Sequence, residues 1–341
     1  MKAIGYSGSR STADPDCLVD IDLPDPSPEP SDLLVVVKAV SVNPVDTKVR
    51  RREQPPGDQW RVLGWDAVGT VVHCGAAVQG FSVGDRVWYA GALQRPGCNS
   101  ALHAVDHRLV GHAPVSLSAA QAAALPLTAI TAWELLFDRL RLSRRSSNQA
   151  PQSLLVVGAA GGVGSVLVQL VRELTDLTLV ATASRPESVA WLHQLGVEQV
   201  INHHEPFAEQ LAALDLPPLC SAISLTHSGD HFAQLVEVLE PQGALALIDD
   251  PPAQSIDVLA MKRKSLSLHW ELMFTRSLYQ TADMARQGAL LQELAALVDA
   301  GRIRSTLTQP LGPIDAAGLQ EAHRRLESGK SIGKLVLSGW A

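Results

Sequence analysis

Cysteine is scarce in this chain. Cys17, Cys74, Cys98 and Cys220 stand far apart with no C-x-x-C spacing, which excludes a disulfide framework and a structural zinc cluster. Basic charge is not in excess. A net charge of −7 leaves no positive field to hold nucleic acid or an anionic membrane surface. No apolar run approaches the roughly 20 residues of a membrane span. The opening MKAIGYSGSR lacks the apolar segment of a signal peptide. Internal repeats and low-complexity tracts are missing as well. These absences predict a soluble protein in a reducing, cytoplasmic setting. What is present, 46% apolar and 18% charged residues over 341 positions, suits a globular core in two domains or one large one.

The most informative stretch is SLLVVGAAGGVGSVLVQLVRELT, residues 153–175. Its short apolar run, bounded by Gly158, predicts a buried parallel strand. The turn Gly158-Ala-Ala160-Gly161-Gly162-Val163-Gly164 follows. Apolar residues then recur at Val163, Val166, Leu167, Leu170, Val171 and Leu174, the spacing of one helix face. Strand, glycine turn and helix form the context of a dinucleotide fingerprint. The glycines let the backbone approach a pyrophosphate, and the helix N-terminus offers it N–H groups. One departure is plain: Ala159 stands where G-x-G-x-x-G has its first glycine.

The N-terminal third differs. Leu33–Val40 is a strongly apolar strand, 41–48 a strand end passing into a turn or short helix, and 50–60 a charged loop. Residues 62–88 carry β-branched runs punctuated by Gly75, Gly80 and Gly84, which predicts a small β-rich module. Ser118–Leu140 has helical spacing, with Ser116 or Ser118 as N-cap, and 141–151 is a polar surface linker. Strands are expected at 154–158, 177–183, 197–201, 219–224 and 244–249. Helices are expected between them at 162–175, 186–195, 205–213 and 230–239. That alternation predicts a doubly wound parallel sheet. A further strand at 264–271 and a long helix at 283–300 complete the pattern, and the tail ends in a β piece at 334–337.

The segments SVNPVDTKVR (41–50), LGWDAVGTVV (63–72), FSVGDRVWYAG (81–91), LPLTAITAWELL (125–136), VVGAAGGVGS (156–165) and ESGKSIGKLVL (327–337) carry a resemblance. In this order the chain resembles the medium-chain dehydrogenase/reductases, in the branch of quinone oxidoreductases and zinc-type alcohol dehydrogenase-like proteins. The resemblance implies an α/β fold: a GroES-like substrate domain (1–125), a Rossmann NADP-binding domain (126–268) and a return to the substrate domain (269–341). Zinc-using members carry a catalytic cysteine where this chain has Asp46, and Gly-His-Glu where it reads Gly64-Trp65-Asp66. The indole of Trp65 cannot ligate zinc. His103, His107 and His112 have no cysteine or glutamate at ligand spacing, so no metal is expected.

Without a metal, hydrogen bonds must hold the substrate oxygen. The resemblance places Asn43 and Asp46 beside the nicotinamide and substrate. Asn43 could donate to a carbonyl, and Asp46 could fix water, Lys48 or a ribose hydroxyl. Alternatively Asn43-Pro44 shapes a turn and Asp46 caps the next helix. Trp65 is expected to wall the substrate pocket or to fill core. Tyrosine occurs only at 6, 89 and 279. Some relatives place a tyrosine where Gln54 stands here, which leaves solvent, Tyr89 or the cofactor ribose as proton source. Thr128 and Thr131 resemble threonines near the nicotinamide phosphate, Met273 and Phe274 line its pocket or fill core, and Lys334 approaches from the tail.

At the adenosine end, NAD-binding sheets place an acid after the second strand. Here the strand ends in Thr182-Ala183-Ser184-Arg185, which suits a 2′-phosphate, and His203 follows the third strand. The expected activity is NADPH-dependent reduction of quinones or α,β-unsaturated carbonyl compounds, with a small-molecule carbonyl or quinone as partner. The edge-strand character of 264–271 adds a homodimer. A zinc alcohol dehydrogenase and an NADPH-binding protein with little turnover are the alternatives.

Overall fold

The computed structural model describes residues 1–8, 11–57, 59–145 and 150–341. The linker expected at 141–151 therefore lies partly outside the described residues. The chain divides into two compact units, residues 1–130 with 274–341, and residues 131–273.

The first unit is β-rich. Its longest strand, Asp32–Ser41, pairs antiparallel with Ala67–Cys74, Leu102–Asp106 and Lys334–Ser338. Leu33, Val35, Val37 and Ala39 point one way and are fully buried, as alternation requires. At the crossing with the neighbouring strand, a Cβ on Gly69 would lie 2.4 Å from the Val36 carbonyl oxygen, so only glycine fits. A smaller sheet joins Val19–Asp22, Lys2–Tyr6 and Arg61–Val62. The chain's end thus closes onto its first long strand, with Val336 opposite Ser41.

Of a turn or a short helix after Asn43, the chain forms the helix, Pro44–Arg52, because Asp46 caps it and proline sits in its first turn. Residues 50–52 therefore belong to a helix, and Arg50 is fully buried. Ser118 is the N-cap of Ala119–Ala123: its Oγ accepts from the Gln121 N–H at 3.2 Å, and Gln121 Oε1 accepts from the Ser118 N–H at 3.0 Å. Residues 119–139 form the one run among the described residues long and apolar enough to cross a membrane, and 83% of its most apolar window is buried inside the protein.

The second unit is a six-stranded parallel sheet in the order Gln199–Ile201, Thr178–Thr182, Ser153–Val157, Leu219–Ser224, Ala244–Leu247 and Ser267–Trp270. The first strand in sequence lies in the middle, and the order reverses beside it, which defines the doubly wound fold. Helices Gly162–Leu174, Pro186–Gln194, Phe207–Ala212 and Ser228–Val238 connect the strands. Val166, Leu167, Leu170 and Val171 on the first helix are fully buried, the face their spacing predicts. The last strand begins three residues later than expected. Val258–Lys264 instead forms a 3₁₀ segment ending at Ser265, whose φ is 52°. Lys264 Nζ donates to the carbonyls of Val236 and Leu239 at 3.2 and 2.8 Å, satisfying the end of the helix above.

Candidate active site

In the first unit, the loop after Asp32–Ser41 brings Asn43 and Asp46 to the segment Gly64-Trp65-Asp66, and the last strand adds Lys334. All four polar groups are buried. Asn43 Nδ2 donates to Asp66 Oδ2 at 2.8 Å, and Lys334 Nζ donates to the same oxygen at 3.0 Å. Lys334 also donates to the Asn43 amide oxygen and, at 3.0 Å, to the Val42 carbonyl. The other Asp66 oxygen accepts from the Leu127 N–H at 2.7 Å. Asp66 is therefore a saturated acceptor holding three elements together. Burial pushes its carboxyl up, and the Lys334 charge pulls it back.

Asp46 is in a different position. Its Oδ2 accepts from the Asn43 N–H at 2.8 Å, while Oδ1 has no hydrogen-bond partner; the Gly64 amide favours the carboxylate from outside hydrogen-bond geometry. Burial raises its pKa from 3.8 to about 7, with Asp66 adding to the shift and the Asn43 amide and Lys334 opposing it. Two buried carboxyls thus share one ammonium, and burial pushes both of them up.

This sets a pH dependence. The folded protein holds the Asp46 proton up to about pH 7, whereas an unfolded aspartate releases it near pH ~4. Stability contributed by this group is complete below about pH 4 and is lost as pH rises through about 7. Asp46→Asn removes the titration while keeping an acceptor for the Asn43 N–H. The variant is expected to match the parent protein at about pH 3 and to melt higher than it at about pH 8. Melting curves at the two pH values decide this; a variant less stable at the higher pH would contradict it.

The other expected substrate-side residues are buried. Trp65 is fully buried, edge-on to Phe274 with centroids 6.1 Å apart, and its Nε1 donates to the Ala92 carbonyl at 3.3 Å. Tyr89 is fully buried and its hydroxyl is 3.1 Å from His103 Nδ1; burial holds it well above the usual phenol range. Thr128 donates to the Leu125 carbonyl at 2.9 Å. In the second unit Thr131 and Met273 are buried.

The glycine turn of the second unit explains the Ala159 departure. The residue with left-handed backbone is Gly158, at φ 78°, one position before the expected glycine. A Cβ there would meet Thr226 Cγ2 at 2.8 Å. The Gly158 N–H donates to Thr182 Oγ1 at 3.3 Å, fixing the turn to the second strand. Gly164 packs against Ala159, where a Cβ would lie 2.3 Å from its carbonyl oxygen. At Gly161 a Cβ would meet only the Gly158 oxygen at 3.6 Å, so the concave side is open. Gly161 is also the N-cap of the helix, and no side chain caps it. Together with Ala160, Gly162 and Val163, this cradle fits a pyrophosphate. Beyond the second strand, Ser184 and Arg185 are half-buried, and Arg185 Nη1 lies 3.4 Å from Glu187 Oε1.

The substrate-side residues do not fit zinc. The Trp65 nitrogen is a committed donor, and Asp66 is taken by Lys334, Asn43 and the Leu127 amide. Among the described residues, no group of three or more His, Cys, Asp or Glu is placed to hold a metal.

A β-rich unit resembling GroES joined to a doubly wound sheet defines the class, and sequence comparison agrees. Residues 29–126 match the alcohol dehydrogenase GroES-like domain, and residues 195–337 match the zinc-binding dehydrogenase family. A zinc-type alcohol dehydrogenase-like protein of Staphylococcus aureus (strain MSSA476) is 36% identical over 99% of this chain and 100% of its own. The solved structure of a protein described as a zinc-dependent alcohol dehydrogenase of Rhizobium etli CFN 42 is 50% identical, with a TM-score of 0.95 over 100% of this chain and 98% of that one. The quinone oxidoreductase of Coxiella burnetii is 27% identical, with a TM-score of 0.80 over 99% of each chain. The chain belongs to the medium-chain dehydrogenase/reductase superfamily, oxidoreductases that bind a nicotinamide cofactor.

Proposed function

We infer that this protein is an NADPH-dependent reductase that transfers a hydride to a quinone or an α,β-unsaturated carbonyl compound without zinc. The observation that carries this reading is the buried Asn43–Asp66–Lys334 network, with the unpartnered Asp46 carboxyl oxygen beside it, standing where the zinc members of the family keep metal ligands. Bound NADPH supplies the hydride. The turn at 158–164 would hold the pyrophosphate, and Thr128, Thr131, Met273 and Phe274 are the candidates for nicotinamide contacts. Ser184, Arg185 and His203 take the 2′-phosphate. Asp46 holds a proton at its unpartnered carboxyl oxygen for the site left negative by hydride transfer, and Lys334 and Asn43 fix its surroundings. Tyr89, sealed against His103, takes no part in this scheme.

The test is NADPH oxidation across a panel of quinones and enones, in the presence of a chelator. The reading requires turnover that survives chelation, with Asp46→Asn slower and still binding nucleotide. A tightly held zinc whose removal abolishes activity would overturn it. The complete mutual pairing of Asn43, Asp66 and Lys334 favours a second reading, a nucleotide-binding protein with little turnover. That reading predicts nucleotide binding and no oxidation across the panel.

The assembly we infer is a homodimer through the second unit. Its edge strand Ser267–Trp270 has one unpaired side, and Trp270, Leu272, Val258 and Leu259 around it are 50–76% exposed. Light scattering is expected to report twice the chain mass at micromolar concentration. A monomer there would rule the dimer out.

A further inference from the structure

The second unit gathers four histidines where its sheet would meet the adenosine end of a cofactor. Thr182 pairs with Ile201 in parallel register, so Arg185 and His203 leave adjacent strands at the same end of the sheet. His227 and His231 open the helix Ser228–Val238 after the strand Leu219–Ser224. The His203 ring lies 4.6 Å from His204 and 5.9 Å from His231, and His231 in turn stacks on Phe207 at 5.5 Å. His227 sits in a left-handed conformation at φ 51° and shares a hydrogen bond of 2.8 Å with Thr226 Oγ1. Nδ1 of His203 and Nδ1 of His231 are both buried without a hydrogen-bond partner. Two such nitrogens side by side are costly unless something else completes them.

We propose that His203 and His231 are proton acceptors that charge when the 2′-phosphate of NADPH arrives beside Arg185, so that binding this cofactor, unlike NADH, is coupled to proton uptake. The inference rests on the NADPH reading above and adds a linkage to it.

Crowding keeps the histidines neutral beforehand. His203 is pushed down to about 4, first by burial and then by the neighbouring His204, His231, His227 and Arg185. His231 is also lowered, chiefly by burial, with His227 and His204 adding and with Asp230 and Asp249 opposing. Glu187 stands against Arg185, and Glu205 Oε1 accepts from Asn202 Nδ2 at 2.9 Å. Asp249 is engaged by the Ser228 N–H at 3.0 Å. Every cationic neighbour that disfavours a proton becomes tolerable once a phosphate bearing nearly two negative charges sits among them. A ribose with free hydroxyls brings no such charge.

The experiment is titration calorimetry of the full protein with 2′,5′-ADP and with 5′-ADP, in buffers of different ionisation enthalpy, at about pH 7.5. A phosphate monoester ionises near pH ~6, so the ligand is already mostly dianionic at this pH, and cationic neighbours lower its pKa further; proton uptake on binding is then the protein's. The expected result is uptake of about one proton per 2′,5′-ADP and none for 5′-ADP. Affinity for 2′,5′-ADP should then fall about tenfold per pH unit above neutrality. His203→Asn with His231→Asn should abolish the uptake while 5′-ADP binding persists, which also reports that the variant is folded. If 2′,5′-ADP binds more tightly than 5′-ADP with no buffer dependence, the proton linkage is wrong and the NADPH reading stands. Uptake that survives in the double variant assigns the protons elsewhere and overturns the proposal. If the two nucleotides bind alike, the NADPH reading itself fails, and the linkage with it.

Discussion

Lys334→Met is expected to destabilise the first unit by about 3–5 kcal/mol, the usual result of removing one partner from a buried ion pair. Lys334 is 3% exposed and its ammonium serves three acceptors: the Val42 carbonyl, the Asn43 amide oxygen and the Asp66 carboxylate. Methionine fills a similar volume and donates to none of them. Asp66 would be left buried and charged beside Asp46, with only an amide and the Leu127 N–H to hold it. The loss should appear as a fall of roughly 6–20 °C in melting temperature, using about 2–4 °C per kcal/mol for a domain of this size. Adding Asp66→Asn removes the stranded charge, so the double variant should recover much of the loss. A single variant within about 1 kcal/mol of the parent would mean that the network is solvated and weak.

Arg185→Ala should weaken NADPH binding by about tenfold to hundredfold, with little change for NADH. Hydrogen bonds to charged groups contribute on the order of 1.5–3 kcal/mol, which sets that range. The structure moderates it in one respect. The guanidinium lies 3.4 Å from Glu187, so it must share or release that carboxylate when a phosphate arrives. Both side chains of this pair are partly exposed, and such pairs are worth at most about 1 kcal/mol. The phosphate therefore outcompetes the glutamate. Dissociation constants for both nucleotides, measured on the parent and the variant, check this. If both constants change together, Arg185 supports the helix start at Pro186 and does not read the phosphate.

The parts of this fold that were legible in the sequence are those set by short-range periodicity. The run Leu154–Val157, the glycine turn and the apolar face from Val166 to Val171 specify strand, turn and helix from residues within about two turns of one another. What was not legible depends on distant partners. Arg50–Arg52 read as a charged loop, yet Arg50 is buried because Glu327 and Cys17 reach it from remote parts of the chain. Lys334 is expected to approach the cofactor from the tail, and the partner that fixes its ammonium is an aspartate 268 residues earlier, which local pattern does not show. Asp66 departs from the zinc pattern in sequence, and its cation, Lys334, lies near the other end of the chain. Ala159 departs from the fingerprint, yet the turn forms because its left-handed residue is Gly158. Of the four clustered histidines, only His203 was picked out, since the fold alone brings His231 to it.

The closing of the last strand, Lys334–Ser338, onto Asp32–Ser41 also orders events during synthesis. Asp66 emerges from the ribosome 268 residues before the lysine that neutralises it. At ordinary elongation rates, about 5–20 residues per second, that interval is on the order of 13–54 s. Throughout it the nascent first unit has Asp66 and not the lysine that pairs with it, so the buried network around Asp66 cannot be completed. The second unit, by contrast, is contiguous and has every strand of its sheet once Trp270 has been added. The nucleotide-type sheet is thus free to fold on the ribosome ahead of the unit that precedes it in sequence, and the β-rich unit waits for the chain's final strand.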